Sequence, residues 1–214
     1  MSSTLTRKIA GAAGLVLLAI PLAACGDDAE GSTSSKPEPV AVVEDVKGQT
    51  TAVKLDSGFT DALSTLGLAP GVVGTAKLTD GSLVFPISGG NVSVFEPGSV
   101  PNYVVGQLQH EGSGFTLTAG DTEVTIGNLN VDPGVSRVYG DVLLNGEPVV
   151  SSVYIFRLDG RTLKPLATEG SNAVLEGTKV YVSDVAAGLL NDTFKTDAVT
   201  DQLLVGVAKI TVNT

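Results

Sequence analysis

Phe115, Leu117 and Ala119 project to one side of an extended chain while Thr116 and Thr118 project to the other, the period of a half-buried strand. Short β-rich runs of this kind, separated by turn residues, fill the chain beyond Val40. Thr79-Asp80-Gly81-Ser82 lies between runs 72–78 and 83–87 and predicts a hairpin. Further strands are expected at 92–95, 103–110, 115–119, 123–131, 138–144, 149–158, 173–182 and 203–212. Asn145-Gly146 is the strongest two-residue turn signal, because both residues tolerate positive φ. Gly112-Ser113-Gly114, between two of the runs, reads as a hairpin loop. Within 123–131 the apolar phase slips from Val124 and Ile126 to Leu129 and Val131, which places a bulge or bend at Gly127-Asn128. Residues 203–208 are apolar on both faces and predict a central, fully buried strand.

Two segments carry helical spacing. Asp56-Ser57 can cap a helix in which Phe59, Leu63 and Leu66 form one stripe and which Gly67 ends. Ser183 can cap a second, 184–194, where Ala186, Leu190 and Phe194 align and Asp184 favours the N-terminal dipole. About ten strands and two short helices predict a mainly β fold, a β-sandwich or barrel-like domain. The Asp-Gly turns at 80 and 159 share turn chemistry alone, so no repeat architecture is read from them.

The first 39 residues follow a different pattern. Arg7 and Lys8 precede an apolar run of 16 residues, 9–24, that closes on Ala23-Ala24, the order of a secretory signal peptide. The run is short of the ~20 residues needed to cross the hydrocarbon, and Pro21 interrupts it. From 26 to 39 there is no large apolar residue, and Gly, Ser, Pro and charge dominate, so this stretch reads as a disordered tether on the order of 20 Å long. The division expected is a signal peptide at 1–24, Cys25 with the tether at 25–39, and a β-rich extracytoplasmic domain at 40–214.

The signal's exit, Leu22-Ala23-Ala24-Cys25, resembles the lipobox of bacterial lipoproteins. That resemblance implies that Cys25 takes a diacylglyceryl thioether and becomes the first residue of the mature chain, held to a membrane by palmitate-like acyl chains. A thiolate is the nucleophile such a transfer requires. A lone cysteine is more often a buried small hydrophobe, but Gly26-Asp27-Asp28 beside it leaves no core to bury it. Two acyl chains at ~0.8 kcal/mol per buried methylene anchor stably. With the single cysteine so used, the domain has no internal disulfide and must rest on core burial.

The net charge is −10; beyond the signal, 11 basic and 23 acidic residues remain, a balance of −12. That excludes a nucleic-acid partner, whose phosphates call for Lys and Arg, and it excludes electrostatic adhesion to anionic lipid.

The order of QHEGSGFTL (109–117), VYGDVLLNG (138–146) and AVLEGTKVYVSDVAAGLLNDTF (173–194) is similar to the HtaA-type domain of actinobacterial surface proteins, over roughly residues 50–214. The resemblance implies association with haem, bound through a tyrosine near the domain start with a supporting histidine. His110 matches the supporting histidine. The tyrosine has no counterpart: none occurs between Val40 and Asn102, and the first predicted helix offers Thr60, Ser64 and Thr65 instead.

Other chemistry is sparse. His110 is the only histidine, next to Glu111 and at a predicted strand end, where a surface turn residue is the usual occupant. Tyr103 lies seven residues before it, an offset that puts the two on opposite faces of a regular strand. Tyr139 and Tyr181 read as amphipathic strand residues. One His and one lipidated Cys leave no zinc or copper set, the aspartates read as solvated, and neither a Gly-x-Ser-x-Gly elbow nor a phosphate-cradling glycine loop is present. No catalytic residue is assigned. The function read from the sequence is a secreted, lipid-anchored, non-enzymatic binding module facing a surface partner or small ligand. Two alternatives stand beside it: a haem- or porphyrin-binding lipoprotein of iron acquisition using His110, and a hydrolase built from carboxylates on distant strands.

Overall fold

Turn chemistry ends several strands where the sequence places their ends. Asn145 and Gly146 take φ of 50° and 83°, Asp80 and Gly81 take 51° and 68°, and each pair closes a two-residue turn whose twist matches its flanking strands. In the computed structural model, residues 36–46 and 48–213 are described. The signal segment and Cys25 lie outside the described residues. Of the tether, residues 36–39 are described, exposed and without regular structure.

The strands are β1 (Ala41–Val43), β2 (Thr50–Leu55), β3 (Ala69–Gly74), β4 (Lys77–Thr79), β5 (Ser82–Pro86), β6 (Gly89–Val94) and β7 (Val104–Ala119). They continue as β8 (Thr122–Asp132), β9 (Arg137–Leu144), β10 (Glu147–Asp159), β11 (Ala167–Glu169), β12 (Asn172–Val182) and β13 (Leu204–Asn213). All belong to one antiparallel sheet in the order β1-β6-β7-β8-β9-β10-β12-β13-β2-β5-β4, with β3 added to β7 and β11 to β12.

The fold is mainly β, a single sheet curled into a half-barrel with two helices, on the barrel side of the sandwich-or-barrel expectation. The curl shows in contacts between strands that are not neighbours. His110 on β7 touches Thr51 on β2, with five strands between them in the sheet order, and the Phe115 and Phe156 rings stack across β7 and β10 with centroids 6.0 Å apart. One face of most of the strands therefore points into a shared apolar interior of Val, Leu, Ile and Phe, to which β3, β4 and β11 add no buried residue. At one end the chain itself ties the two sides together between β5 and β6: Ile87 N–H donates to Gln49 O at 3.0 Å and Ser88 N–H to Gln109 O at 2.8 Å.

Both helices start at the expected caps. In α1 (Ser57–Thr65) the Asp56 carboxylate accepts from Gly58 N–H at 2.8 Å, and Phe59 and Leu63 are buried. In α2 (Asp184–Phe194) Ser183 Oγ accepts from Ala186 N–H at 2.9 Å and donates to Tyr154 O at 2.7 Å, which fixes the helix to β10.

Four expectations are corrected. Gly112-Ser113-Gly114 is not a hairpin loop: β7 runs unbroken from 104 to 119, and the segment is a bulge where the register with β8 jumps from His110↔Leu129 to Gly114↔Gly127. Two extra residues on β7 are absorbed there, with Ser113 Oγ donating to His110 O at 2.9 Å and Gly112 N–H to Asn128 Oδ1 at 3.0 Å. Residues 72–74 belong to β3 and pair with β7, so the hairpin across Asp80-Gly81 keeps only Lys77–Thr79 on its first arm. Residues 203–208 are central in sheet order but not buried on both faces, because Val207 points outward at 36 % exposure. His110 is buried within the sheet and not a surface turn residue. The phase slip at Gly127-Asn128 is a bulge as expected: β8 gains a residue against β9 between Gly127 and Asn130, and Asn128 takes φ 50°.

The facing bulges leave no room for a side chain at Gly114, where a Cβ would lie 2.3 Å from Ile126 O. We expect Gly114→Ala to cost about 2–3 kcal/mol in urea unfolding; a loss under about 0.5 kcal/mol would show that the strands can part there without penalty.

Candidate functional site

A cavity of about 450 Å³ occupies the interior of the half-barrel. Its walls are apolar and aromatic, with Val53, Phe85, Leu108, Phe115 and Phe156 among the lining side chains, and Phe59 of α1 contributes to it. Its rim is set by antiparallel connectivity. The start of β7, the end of β8, the start of β9 and the end of β10 lie at one end of the sheet, and the adjoining residues Tyr103, Pro133, Ser136, Asp159 and Arg161 all line the opening.

His110 sits on this wall at 1 % exposure. Its position follows from the bulge. Before it, the buried positions of β7 are even-numbered (104, 108, 110); after it, Phe115 and Leu117 carry the interior face. His110 Nδ1 lies 3.1 Å from Leu129 O and Nε2 lies 2.8 Å from Thr51 Oγ1. A carbonyl only accepts, so Nδ1 bears the proton and donates; Nε2 then presents its lone pair and accepts from the Thr51 hydroxyl. The Phe85 ring stands edge-on to the imidazole with centroids 6.3 Å apart. Burial lowers the His110 pKa from 6.5 to about 4, against a smaller upward pull from the carbonyls of Leu129 and Leu108. The imidazole is therefore neutral, with both nitrogens engaged.

At the rim, Arg161 clasps Asp159 in a two-pronged pair, Nε to Oδ1 at 2.9 Å and Nη2 to Oδ2 at 2.7 Å, and these bonds hold the Asp159 carboxyl down to about 2. Asp159 is the only carboxylate on the cavity wall among the described residues. Among the described residues no three His, Cys, Asp or Glu side chains come together.

Tyr103 and His110, expected on opposite faces, line the same cavity. The alternation argument fails because Tyr103 precedes β7 and is not in regular strand. Thr60, Ser64 and Thr65 of α1 are exposed and take no part. The hydroxyl that meets His110 comes from Thr51, which the sequence reading missed; its signal is a polar residue in phase with Val53, on the buried face of β2. Tyr139, Tyr154 and Tyr181 are partly exposed strand residues outside the cavity; Arg137 lies over Tyr154 at 4.6 Å and Arg157 over Tyr181 at 4.4 Å.

The buried imidazole makes stability depend on pH. Because its pKa is lower in the folded chain, the unfolded chain takes up the proton first as pH falls. The stabilisation is complete above pH 6.5, drains away below it, and is gone near pH 4. Urea unfolding should show a loss of about 2 kcal/mol between pH 7 and pH 5 from this group, and His110→Gln should remove that slope. A slope equal in the variant would place the titrating group elsewhere.

No protein-family model and no curated protein sequence matches the chain. Solved structures do. The C-terminal domain of HtaA from Corynebacterium glutamicum aligns over 80 % of this chain and 99 % of its own, with a TM-score of 0.55 and 14 % identity. The heme-binding protein HtaB of the same organism aligns over 81 % of this chain and 96 % of its own, with a TM-score of 0.48 and 9 % identity. What the chain shares with the HtaA C-terminal domain, at that identity, is the fold, matched over nearly the whole of that domain.

Proposed function

We propose that the chain is an extracytoplasmic, lipid-anchored, non-enzymatic binding module whose half-barrel encloses a flat apolar ligand of the porphyrin class, haem among them. The observation that carries this reading is the cavity itself: about 450 Å³, walled by aliphatic and aromatic side chains, open at one end of the sheet, with a neutral histidine within. The HtaA-like fold supports it.

For haem, the fit divides between ring and metal. The aromatic wall of Phe85, Phe115 and Phe156 suits a macrocycle, and Arg161 at the rim suits a carboxylate substituent by exchange from Asp159. The metal-binding set does not fit: no tyrosine stands against His110, and the His110 nitrogens are both bonded. His110 is thus a wall residue held in place by Leu129 and Thr51, in place of the supporting role that the HtaA resemblance implies. A hydrolase would need a second carboxylate facing the first across the cavity, and the one on its wall is already paired with Arg161.

Titrating the purified full-length chain with haemin should give a saturable shift of the Soret band at one ligand per chain. No saturable binding would remove the porphyrin reading and leave a module for another partner. The anchor is tested separately: mass spectrometry of protein from a bacterial host should find Cys25 as the N-terminal residue carrying acyl mass, and Cys25→Ala should release or misprocess the chain. An unmodified thiol on an intact Met1 chain would remove the membrane assignment.

A further inference from the structure

Two side chains on the cavity wall have the chemistry to bind a haem iron, the His110 imidazole and the Tyr103 phenol. The sheet keeps them apart. Seven residues of nearly extended chain separate them, about 20 Å at the rise of a strand, so they cannot flank one metal.

Neither is placed to bind iron while the ring lies in the cavity. His110 is 1 % exposed, its Nδ1–H is given to Leu129 O, and its Nε2 lone pair accepts the Thr51 hydroxyl at 2.8 Å. Freeing that lone pair costs the buried hydrogen bond to the Thr51 hydroxyl, on a wall that Val53, Leu83 and Phe85 also line. Tyr103 stands at the opposite extreme, beside Pro101 and Asn102 at the rim. A bond to its oxygen would draw the macrocycle towards the opening and away from Phe85 and Phe115, the contacts that bury it.

We propose that this site selects its ligand by the apolar ring and not by the metal, so that metal-free porphyrins bind on the same footing as haem. The inference rests on the porphyrin reading above. Thr51 is the residue that decides it: by occupying the His110 lone pair, its hydroxyl makes the wall indifferent to iron. Arg161 at the rim, on exchange from Asp159, meets the carboxylates that haem and the free porphyrin share, and so does not distinguish them.

The test compares haemin with protoporphyrin IX on the full-length chain, both read by quenching of tyrosine fluorescence, since the chain has four tyrosines and no tryptophan. We expect the two dissociation constants to agree within about tenfold. Thr51→Ala uncovers Nε2 and should shift the ratio towards haemin by about tenfold or more, with a Soret change that His110→Phe abolishes. Because each variant is judged by the ratio of two ligands, a partly unfolded sample does not obscure the outcome. Haemin binding more than tenfold tighter in the unmodified chain, with the difference lost in His110→Phe or Tyr103→Phe, would overturn the inference and leave the porphyrin reading standing. An unchanged ratio in Thr51→Ala would also overturn it. Failure of both ligands to bind would remove the porphyrin reading, and the inference with it.

Discussion

Leu108, His110 and Phe115 face one interior only because the alternation of β7 breaks between His110 and Gly114, where Gly112 takes φ 68° and two extra residues are absorbed against β8. In a regular strand an even and an odd position point to opposite sides of the sheet. The bulge resets that phase in mid-strand. It is held by a hydroxyl on a carbonyl (Ser113 to His110) and an amide oxygen on an N–H (Asn128 to Gly112), and Gly114 lets the β8 backbone come close. It also divides the labour of the β7 edge: β6 pairs with residues 104–109 and β3 with residues 113–118. Both halves of a sixteen-residue strand can then turn an apolar face inward while the sheet bends around them.

That bend is what gives the domain a cavity instead of a slab. The interior is lined from strands scattered through the sequence, from Thr51 near its start to Ile210 near its end. Stability without a disulfide follows from the same arrangement, since nearly every strand contributes side chains to one continuous cluster. His110, a polar side chain fully buried in it, is satisfied at both nitrogens, which is the condition under which an apolar interior tolerates it.

What could be read in the sequence was what local chemistry decides. Asp56 and Ser183 name their helix starts because a short polar side chain before an apolar stripe has little else to do. Asp80-Gly81 and Asn145-Gly146 name their turns because few other pairs take positive φ twice. The Gly127-Asn128 bulge was legible because the apolar phase changes parity across it. Gly112-Ser113-Gly114 carries the same kind of parity change, from His110 to Phe115, but two glycines around a serine are also loop composition, and composition outweighed phase. The sheet order was not legible at all. That β2 would meet β7 depends on five intervening strands, and with it went the burial of His110 and the part played by Thr51.

The strand by which the chain enters the domain is among its least secured. β1 has three register pairs with β6 and, among the described residues, no strand on its other side, and Val40 N–H adds one bond to Val94 O. Its inward residues Ala41 and Val43 line a small apolar pocket together with Leu166, Ala173 of β12 and Val212 of β13. Any mechanical load arriving along residues 36–40 therefore falls first on β1 and its pairing with β6. A pull there strains three register pairs before it reaches the long central strands.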